Sequence, residues 1–153
     1  MTDLSGKTAL VTGSLQGIGL AIATDLARAG ARVALHGLAA AGQATQTVDM
    51  LRAAGSPEIR YFAADLRHQE EIEQLMAAVA DWGGADILIN NAGVQKTVAL
   101  AKADTDIWDT LLAINLTAPF HTMRLALPVM AQRGYGRVIN IASVHGLVAS
   151  PEK

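Results

Sequence analysis

The sequence predicts an α/β fold, a doubly wound parallel sheet with helices on both faces, and three observations lead to it. Strand-like and helix-like segments alternate along all 153 residues. The strand-like segments are short and apolar, which is typical of strands buried on both faces of a parallel sheet. A glycine-rich turn, Thr12–Gly19, joins the first strand to the first helix. We therefore expect one domain over residues 1–153.

The first half of the chain predicts three strands and two helices. The apolar run Ala9–Val11 marks the first strand, Gly30 ends the helix that follows, and Gly55 with Pro57 ends the next one. In chain order these elements are strand Lys7–Thr12, helix Ile18–Ala29, strand Arg32–His36, helix Gln43–Ala54 and strand Glu58–Ala63.

The second half repeats this alternation. Ile72, Leu75, Met76 and Val79 recur at spacing i, i+3, i+4 and i+7, which predicts a helix packed on the sheet. The remaining elements are strand Asp86–Asn90, helix Thr105–Gln132 and strand Arg137–Ala142. Ligands of such sheets bind beyond the carboxyl ends of the strands, where the strand order reverses. The segments expected on this rim are Thr12–Gly19, His36–Leu38, Ala64–Leu66, Asn90–Gln95 and Ser143–His145.

The turn Thr12–Gly19 carries glycines at spacing G-x-x-x-G-x-G. The unpaired N–H groups of a helix N-terminus attract anions, and glycines let the backbone approach a ligand closely. The spacing differs from the commonest dinucleotide fingerprint, and no Lys follows as in a nucleotide-triphosphate loop. Taken alone, the turn is either a phosphate-binding loop or an ordinary strand-to-helix connection.

Polar residues at two other strand ends are further candidates. The run Asn90–Gly93 either forms a polar turn or brings the backbone close to a flat ligand. Asp65 either accepts a hydrogen bond from an adenine amino group or caps the helix that begins near His68.

Asn115 lies inside an apolar helical stretch, four residues before Pro119. Because proline has no N–H, the carbonyl of Asn115 loses its usual partner and the helix is expected to kink. The free carbonyl then either anchors a water near the site, or the kink is purely structural with the amide satisfied locally.

Ser143 and His145 are two residues apart after the last predicted strand. On an extended chain, both side chains point to the same side and face one ligand. The G-x-S-x-G motif of a nucleophilic serine is absent from the sequence. We therefore interpret Ser143 as a hydrogen-bond donor.

Composition excludes several classes of function. The net charge of -2 comes from scattered charges without a basic patch, which argues against a nucleic-acid partner. The sequence has no cysteine, and it has no apolar run of the ~20 residues that span a bilayer. We expect a soluble, cytoplasmic protein without a metal site.

These motifs in this order resemble the short-chain dehydrogenase/reductase family across the whole chain. The resemblance implies a Rossmann-type sheet, a nicotinamide cofactor and hydride transfer at a carbonyl carbon. It implies catalytic roles for Asn115, through a relay water, and for Ser143, which orients the substrate oxygen. The cofactor contacts that it implies are Gly13, Ser14, Gln16, Gly17, Ile18, Gly19, Leu38, Asp65, Leu66, Asn91, Ala92, Gly93 and Ile114.

A narrower likeness, carried by residues 141–150 and by Gln95, is to the D-3-hydroxybutyrate dehydrogenases of bacteria. It implies interconversion of D-3-hydroxybutyrate and acetoacetate, with the substrate carboxylate held by Gln95, His145 and Lys153. The cofactor is expected to be NAD, because a 2′-phosphate requires Arg or Lys near Gln16 or after the second strand. Among those positions, His36 is the one possible cation. The acidic residue that typically binds the ribose in NAD sites is also missing there.

The family's catalytic Tyr-x-x-x-Lys motif is expected shortly beyond His145, and the sequence stops before it at Lys153. The resemblance therefore implies that the domain is incomplete beyond its fifth strand and that the chain alone is inactive. The complete enzyme is expected to be a homo-oligomer that acts on a small hydroxy acid. The alternatives are a related dehydrogenase for another ketone or alcohol, and an inactive, truncated NAD-binding domain.

Overall fold

Five parallel strands form one sheet in the spatial order β3-β2-β1-β4-β5. The computed structural model describes residues 2–148. The strands are β1 (Thr8–Val11), β2 (Arg32–Gly37), β3 (Ile59–Ala63), β4 (Ile87–Asn90) and β5 (Arg137–Asn140). The chain runs outward from β1 to β3 and then crosses back to place β4 on the other side of β1. The strand order therefore reverses between β1 and β4, which confirms the predicted Rossmann-type, doubly wound sheet.

Helices cover both faces of the sheet. They are α1 (Gly17–Arg28), α2 (Thr45–Ala53), α3 (Gln69–Asp81), α4 (Thr105–Leu112) and α5 (Ala118–Gln132). One core packs α1 and α2 against the face of the sheet that carries Val11 and Leu35, and the other packs α3 and α5 against Leu10 and Leu88. Alternate residues of β1 thus enter opposite cores, as the two-residue period of a strand requires. The predicted α3 positions Ile72, Leu75, Met76 and Val79 are all buried.

The predicted helix Thr105–Gln132 is not continuous. A π-helical turn, Ala113–Thr117, separates α4 from α5, and Pro119 follows at the start of α5. The missing N–H of Pro119 accounts for the interruption, because it removes the regular i-to-i−4 bond to Asn115.

Other boundaries differ by a few residues from the predicted ones. The second predicted helix begins as a 3₁₀ turn, Ala41–Ala44, which leads into α2. The first and last strands end at Val11 and Asn140 rather than at Thr12 and Ala142. Beyond Val11 and beyond Asn140, the chain leaves the sheet and forms part of the rim. Within residues 2–148, no helix has the length and apolar character needed to cross a bilayer.

Candidate functional site

The glycine-rich turn is fastened to the end of β4 by two side chains. The Thr12 hydroxyl accepts hydrogen bonds from the backbone N–H groups of Asn91 and Ala92, each at 3.0 Å. In return, Asn91 Nδ2 donates to the carbonyl oxygens of Thr12 at 3.0 Å and Gly13 at 3.1 Å. Thr12 is only 2% exposed, so these bonds are protected from water. The turn and the Asn91–Gly93 segment consequently form one unit at the point where the strand order reverses.

Two glycines allow this unit to close. A Cβ on Gly13 would lie 2.9 Å from the Cα of Ala92, and its φ of +63° disfavours other residues. A Cβ on Gly19 would overlap the carbonyl oxygen of Gly13 and the Asn91 amide nitrogen. The close packing of turn, helix and β4 therefore requires glycine at both positions.

The N-terminus of α1 opens onto the rim. Gln16 precedes the helix in an extended conformation, and no side chain of the described residues caps the first turn. Gln16, Gly17 and Ile18 are exposed, and a Cβ on Gly17 would have no neighbour within 4 Å. Backbone N–H groups at an open, uncapped helix N-terminus suit an anionic group such as a pyrophosphate. The residues present therefore fit the phosphates of a dinucleotide.

The end of β2 holds the same turn from the other side. Ser14 N donates to the His36 carbonyl oxygen at 2.9 Å, and His36 N donates to Ser14 Oγ at 2.9 Å. Ser14 is fully buried. Its hydroxyl is engaged with β2, and the predicted contact of Ser14 with a cofactor stays a prediction.

The structure corrects the suggestion that His36 supplies a cation for a 2′-phosphate. The ring is 3% exposed, and burial lowers its pKa below the ordinary value of 6.5. Both ring nitrogens have partners inside the protein, Gly13 N at 3.1 Å and the Ala64 carbonyl oxygen at 3.0 Å. The residue that follows β2 at the surface is Leu38, 70% exposed, so this corner of the rim is uncharged.

Asp65, at the end of β3, is held by Arg67. Arg67 donates from Nε to both carboxylate oxygens at 3.0 and 2.9 Å and from its backbone N–H at 3.0 Å. These bonds lower the pKa of Asp65 to about 2. The helix cap is His68 and not Asp65, so the capping interpretation of Asp65 is wrong. Leu66 is 7% exposed and its side chain belongs to the core beneath the rim.

Asn115 fastens the loop that follows β4 to the π-helical turn. Its Oδ1 accepts from Val94 N at 2.9 Å, and its Nδ2 donates to the Val94 carbonyl oxygen at 2.8 Å. The amide is thus satisfied by a neighbouring loop, and Gln95 lies directly beyond this pair of bonds. A cleft of about 360 Å³ lies between this loop and α4, with Gln95 on one wall and Ile107 on the other. Ile114, on the same turn, is half-buried.

Asn90 plays a part that the sequence reasoning missed. Its Nδ2 donates to Asn140 Oδ1 at 2.8 Å, and its Oδ1 accepts from Thr122 Oγ1 at 2.7 Å. Asn90 and Asn140 are register partners in β4 and β5. Asn90 therefore joins both strands to α5, while Asn91, one residue later, joins β4 to the glycine-rich turn. Two amides in succession at a strand end were the available signal, because their side chains must point to opposite faces.

The prediction that Ser143 and His145 share one side of an extended chain is wrong. The chain turns after Ser143 into a 3₁₀ helix, Val144–Gly146, and Ser143 Oγ accepts from His145 N at 3.2 Å. His145 Nδ1 lies 3.3 Å from the Val148 carbonyl oxygen. Both side chains are exposed, and with Gln95 they form what we call the outer rim. The Ser143 hydroxyl accepts the bond from His145 N and can still donate a hydrogen bond of its own. Lys153 lies outside the described residues.

No group of three or more His, Cys, Asp or Glu side chains in residues 2–148 is arranged to hold a metal ion. The site is instead built from backbone N–H groups, amides and small residues around the switch between β1 and β4.

Comparison with known proteins decides the family. The model of the short chain dehydrogenase family matches residues 7–153. The chain belongs to this family. The 3-oxoacyl (acyl-carrier-protein) reductase of Agrobacterium tumefaciens C58, solved with NADP bound, superposes with a TM-score of 0.92 at 35% identity. That superposition covers 98% of this chain and 57% of the reductase.

Two relatives are more similar in sequence. The D-beta-hydroxybutyrate dehydrogenase of Rhizobium meliloti is 49% identical over 148 residues, 96% of this chain and 57% of that protein. The D-beta-hydroxybutyrate dehydrogenase of Cupriavidus necator is 50% identical over 151 residues, 98% of this chain and 58% of that protein. The chain thus spans less than three fifths of the length of each of these proteins.

Proposed function

We propose that the protein carrying this chain is an NAD-dependent dehydrogenase that interconverts D-3-hydroxybutyrate and acetoacetate. The observation that carries the proposal is the identity of 49% and 50%, over almost the whole chain, to two dehydrogenases named for this substrate. Membership of the short-chain dehydrogenase family supports the reaction class, and the described rim supports a dinucleotide ligand.

NAD is proposed as the cofactor because the corner beyond β2 is uncharged. His36 is buried with both ring nitrogens engaged, and the exposed residues Gln16 and Leu38 carry no charge. A 2′-phosphate bound at this corner would lose hydrating water molecules without forming an ion pair with a cationic side chain. In this proposal the pyrophosphate lies at the N-terminus of α1, the adenine lies beside Asp65 and Leu66, and the nicotinamide ribose lies along Asn91–Gly93.

The remaining roles concern the substrate. NAD, when bound, supplies the acceptor for the hydride that leaves the hydroxyl-bearing carbon. Ser143 donates a hydrogen bond to the substrate oxygen, keeping its own proton, and thereby orients it. Gln95 and His145, both on the outer rim, bind the substrate carboxylate. Lys153 is proposed as a third donor. Asn115 fixes the Gln95 loop through Val94, in addition to its proposed role with a relay water.

The test is the formation of NADH by the complete protein with D-3-hydroxybutyrate, followed by absorbance. We expect Gln95→Ala to raise KM for hydroxybutyrate by about tenfold with little change in kcat, because a charge-assisted hydrogen bond to the carboxylate is lost. Gln69→Ala, on the surface of α3, is the matched control and should leave both constants unchanged. An enzyme that oxidises other alcohols but no short 3-hydroxy acid would contradict the substrate assignment, as would an unchanged KM in Gln95→Ala.

A further inference from the structure

His36 joins the glycine-rich turn to the end of β3. The ring lies under the turn, with Nδ1 3.1 Å from Gly13 N and Nε2 3.0 Å from the carbonyl oxygen of Ala64. Its own backbone is bonded in both directions to Ser14. One side chain therefore spans the connection from β1 to α1 and the connection from β3 to α3.

The two partners determine the protonation state of the ring. A carbonyl oxygen can only accept, so the proton must be on Nε2, facing Ala64. A backbone N–H can only donate, so Nδ1 must be unprotonated to accept from Gly13. Only one neutral tautomer satisfies both bonds. Protonation of Nδ1 would set two N–H groups against each other at 3.1 Å and force Gly13 away from the ring.

We propose that neutral His36 is a positioning residue for the dinucleotide, which holds Gly13 and the turn in the binding geometry, and that its protonation weakens nucleotide binding at acidic pH. This inference rests on the proposed function, since it concerns the same cofactor site. His36 itself does not touch the nucleotide in this account; it acts through the backbone of Gly13.

The charged groups around His36 determine the pH range in which nucleotide affinity changes. On the side of β3 and α3, Asp65 attracts a proton to the ring, but Arg67 pairs with Asp65, and Glu71 accepts from Asp65 N and contacts His68. On the side of β1, the residues packed against the ring, Gly13 and Ser14, carry no charge. Burial outweighs the hydrogen bond to the Ala64 carbonyl oxygen and the attraction of Asp65, and it lowers the pKa of His36 below 6.5. Affinity should therefore be constant above this pH and decline as the pH falls through the lowered pKa.

The experiment compares NAD affinity across pH for the complete protein and for His36→Asn, by calorimetry. The Asn Oδ1 can take the place of Nδ1 as the acceptor for Gly13, and it does not titrate in this range. We expect the wild-type protein to lose affinity by up to about tenfold per pH unit below the pKa, the limit for one coupled proton. His36→Asn should stay within about threefold of wild type at neutral pH and show no such slope. His68→Asn, an exposed neighbouring histidine, is the control that should retain the wild-type slope.

Nitrogen NMR of the wild-type ring gives a second readout that does not depend on any variant folding. At neutral pH the spectrum should show the proton on Nε2 and a bare Nδ1. A neutral ring with its proton on Nδ1, or equal pH slopes for wild type and His36→Asn, would overturn the inference. If the wild-type protein binds NAD tightly and without pH dependence down to the titration of the ring, the inference fails and the proposed function stands. If neither NAD nor NADP binds at neutral pH, the proposed function fails, and the inference fails with it.

Discussion

The two halves of the rim are built differently. The inner half consists of the glycine-rich turn with Thr12, His36 and Asn91. Thr12 and His36 are buried, Asn91 is half-buried, and all three bond to backbone groups of segments that follow other strands. The outer half consists of Gln95, Ser143 and His145, which are exposed; Gln95 lies on the loop after β4, and the other two lie at the 3₁₀ helix after β5. A preorganised inner half lowers the entropy cost of binding a large ligand, whereas an exposed outer half leaves the choice of small substrate to a few side chains.

The strongest disruption of the inner half is expected from Gly19→Ala. The added methyl group would overlap the Gly13 carbonyl oxygen and the Asn91 side chain, which are hydrogen-bonded to each other. We expect the free energy of unfolding to fall by about 3 kcal/mol, at the upper end of overpacking effects, and nucleotide binding to be lost. Chemical denaturation measures the stability change.

Gly42→Ala is the matched control, because a Cβ at that position would have no neighbour within 4 Å. Its unfolding curve should overlay that of the wild type. Equal stability of Gly19→Ala and Gly42→Ala would show that the inner half is not closely packed.

Thr12→Val keeps the shape of the side chain and removes the hydroxyl. Two N–H groups, those of Asn91 and Ala92, then lose their acceptor in a buried environment. We expect a loss of about 2 kcal/mol in stability, because unsatisfied buried donors keep their full desolvation cost. Thr24→Val on α1, where the hydroxyl donates only to the Leu20 carbonyl oxygen of its own helix, should cost less than about 0.5 kcal/mol. Equal losses in the two variants, measured by denaturation, would contradict the role of Thr12.

The loop that carries Gln95, in the outer half, should respond more weakly to a change in Asn115, which holds it. Asn115→Ala removes two exposed hydrogen bonds to Val94, and we expect a stability loss of about 1 kcal/mol. The local effect should be larger than the global one, with amide hydrogen exchange at Val94 faster by about tenfold. Unchanged exchange at Val94 would mean that Asn115 does not hold this loop in solution.

The sequence predicted the strands, the helices and the parallel sheet because these follow from local patterns, whereas the position of the switch between β1 and β4 was not predicted. Short apolar strands, helix periodicity and the helix break before Pro119 each depend on near neighbours in the chain. The rim segments followed in turn, since parallel strands place their carboxyl ends together.

Side-chain direction was not predictable in the same way. His36 reads as a surface cation in the sequence, but its ring lies in the interior because Gly13 and Ala64, 23 and 28 residues away in the chain, supply both of its partners. Ser143 and His145 were expected on an extended chain. Residue spacing alone does not indicate the 3₁₀ helix that begins after Ser143 and contains His145. The roles of Ser14 and Asn91 likewise depend on bonds to distant segments.

The most direct test of the account is the ratio of the dissociation constants of NAD and NADP for the complete protein at neutral pH. Because the described residues of the inner half offer no available cation beyond β2, we expect NAD to bind at least about tenfold more tightly than NADP. This is a difference of about 1.4 kcal/mol in binding free energy. Equal or tighter binding of NADP would contradict this central claim, because it would require a cationic contact where the structure places Gln16 and Leu38.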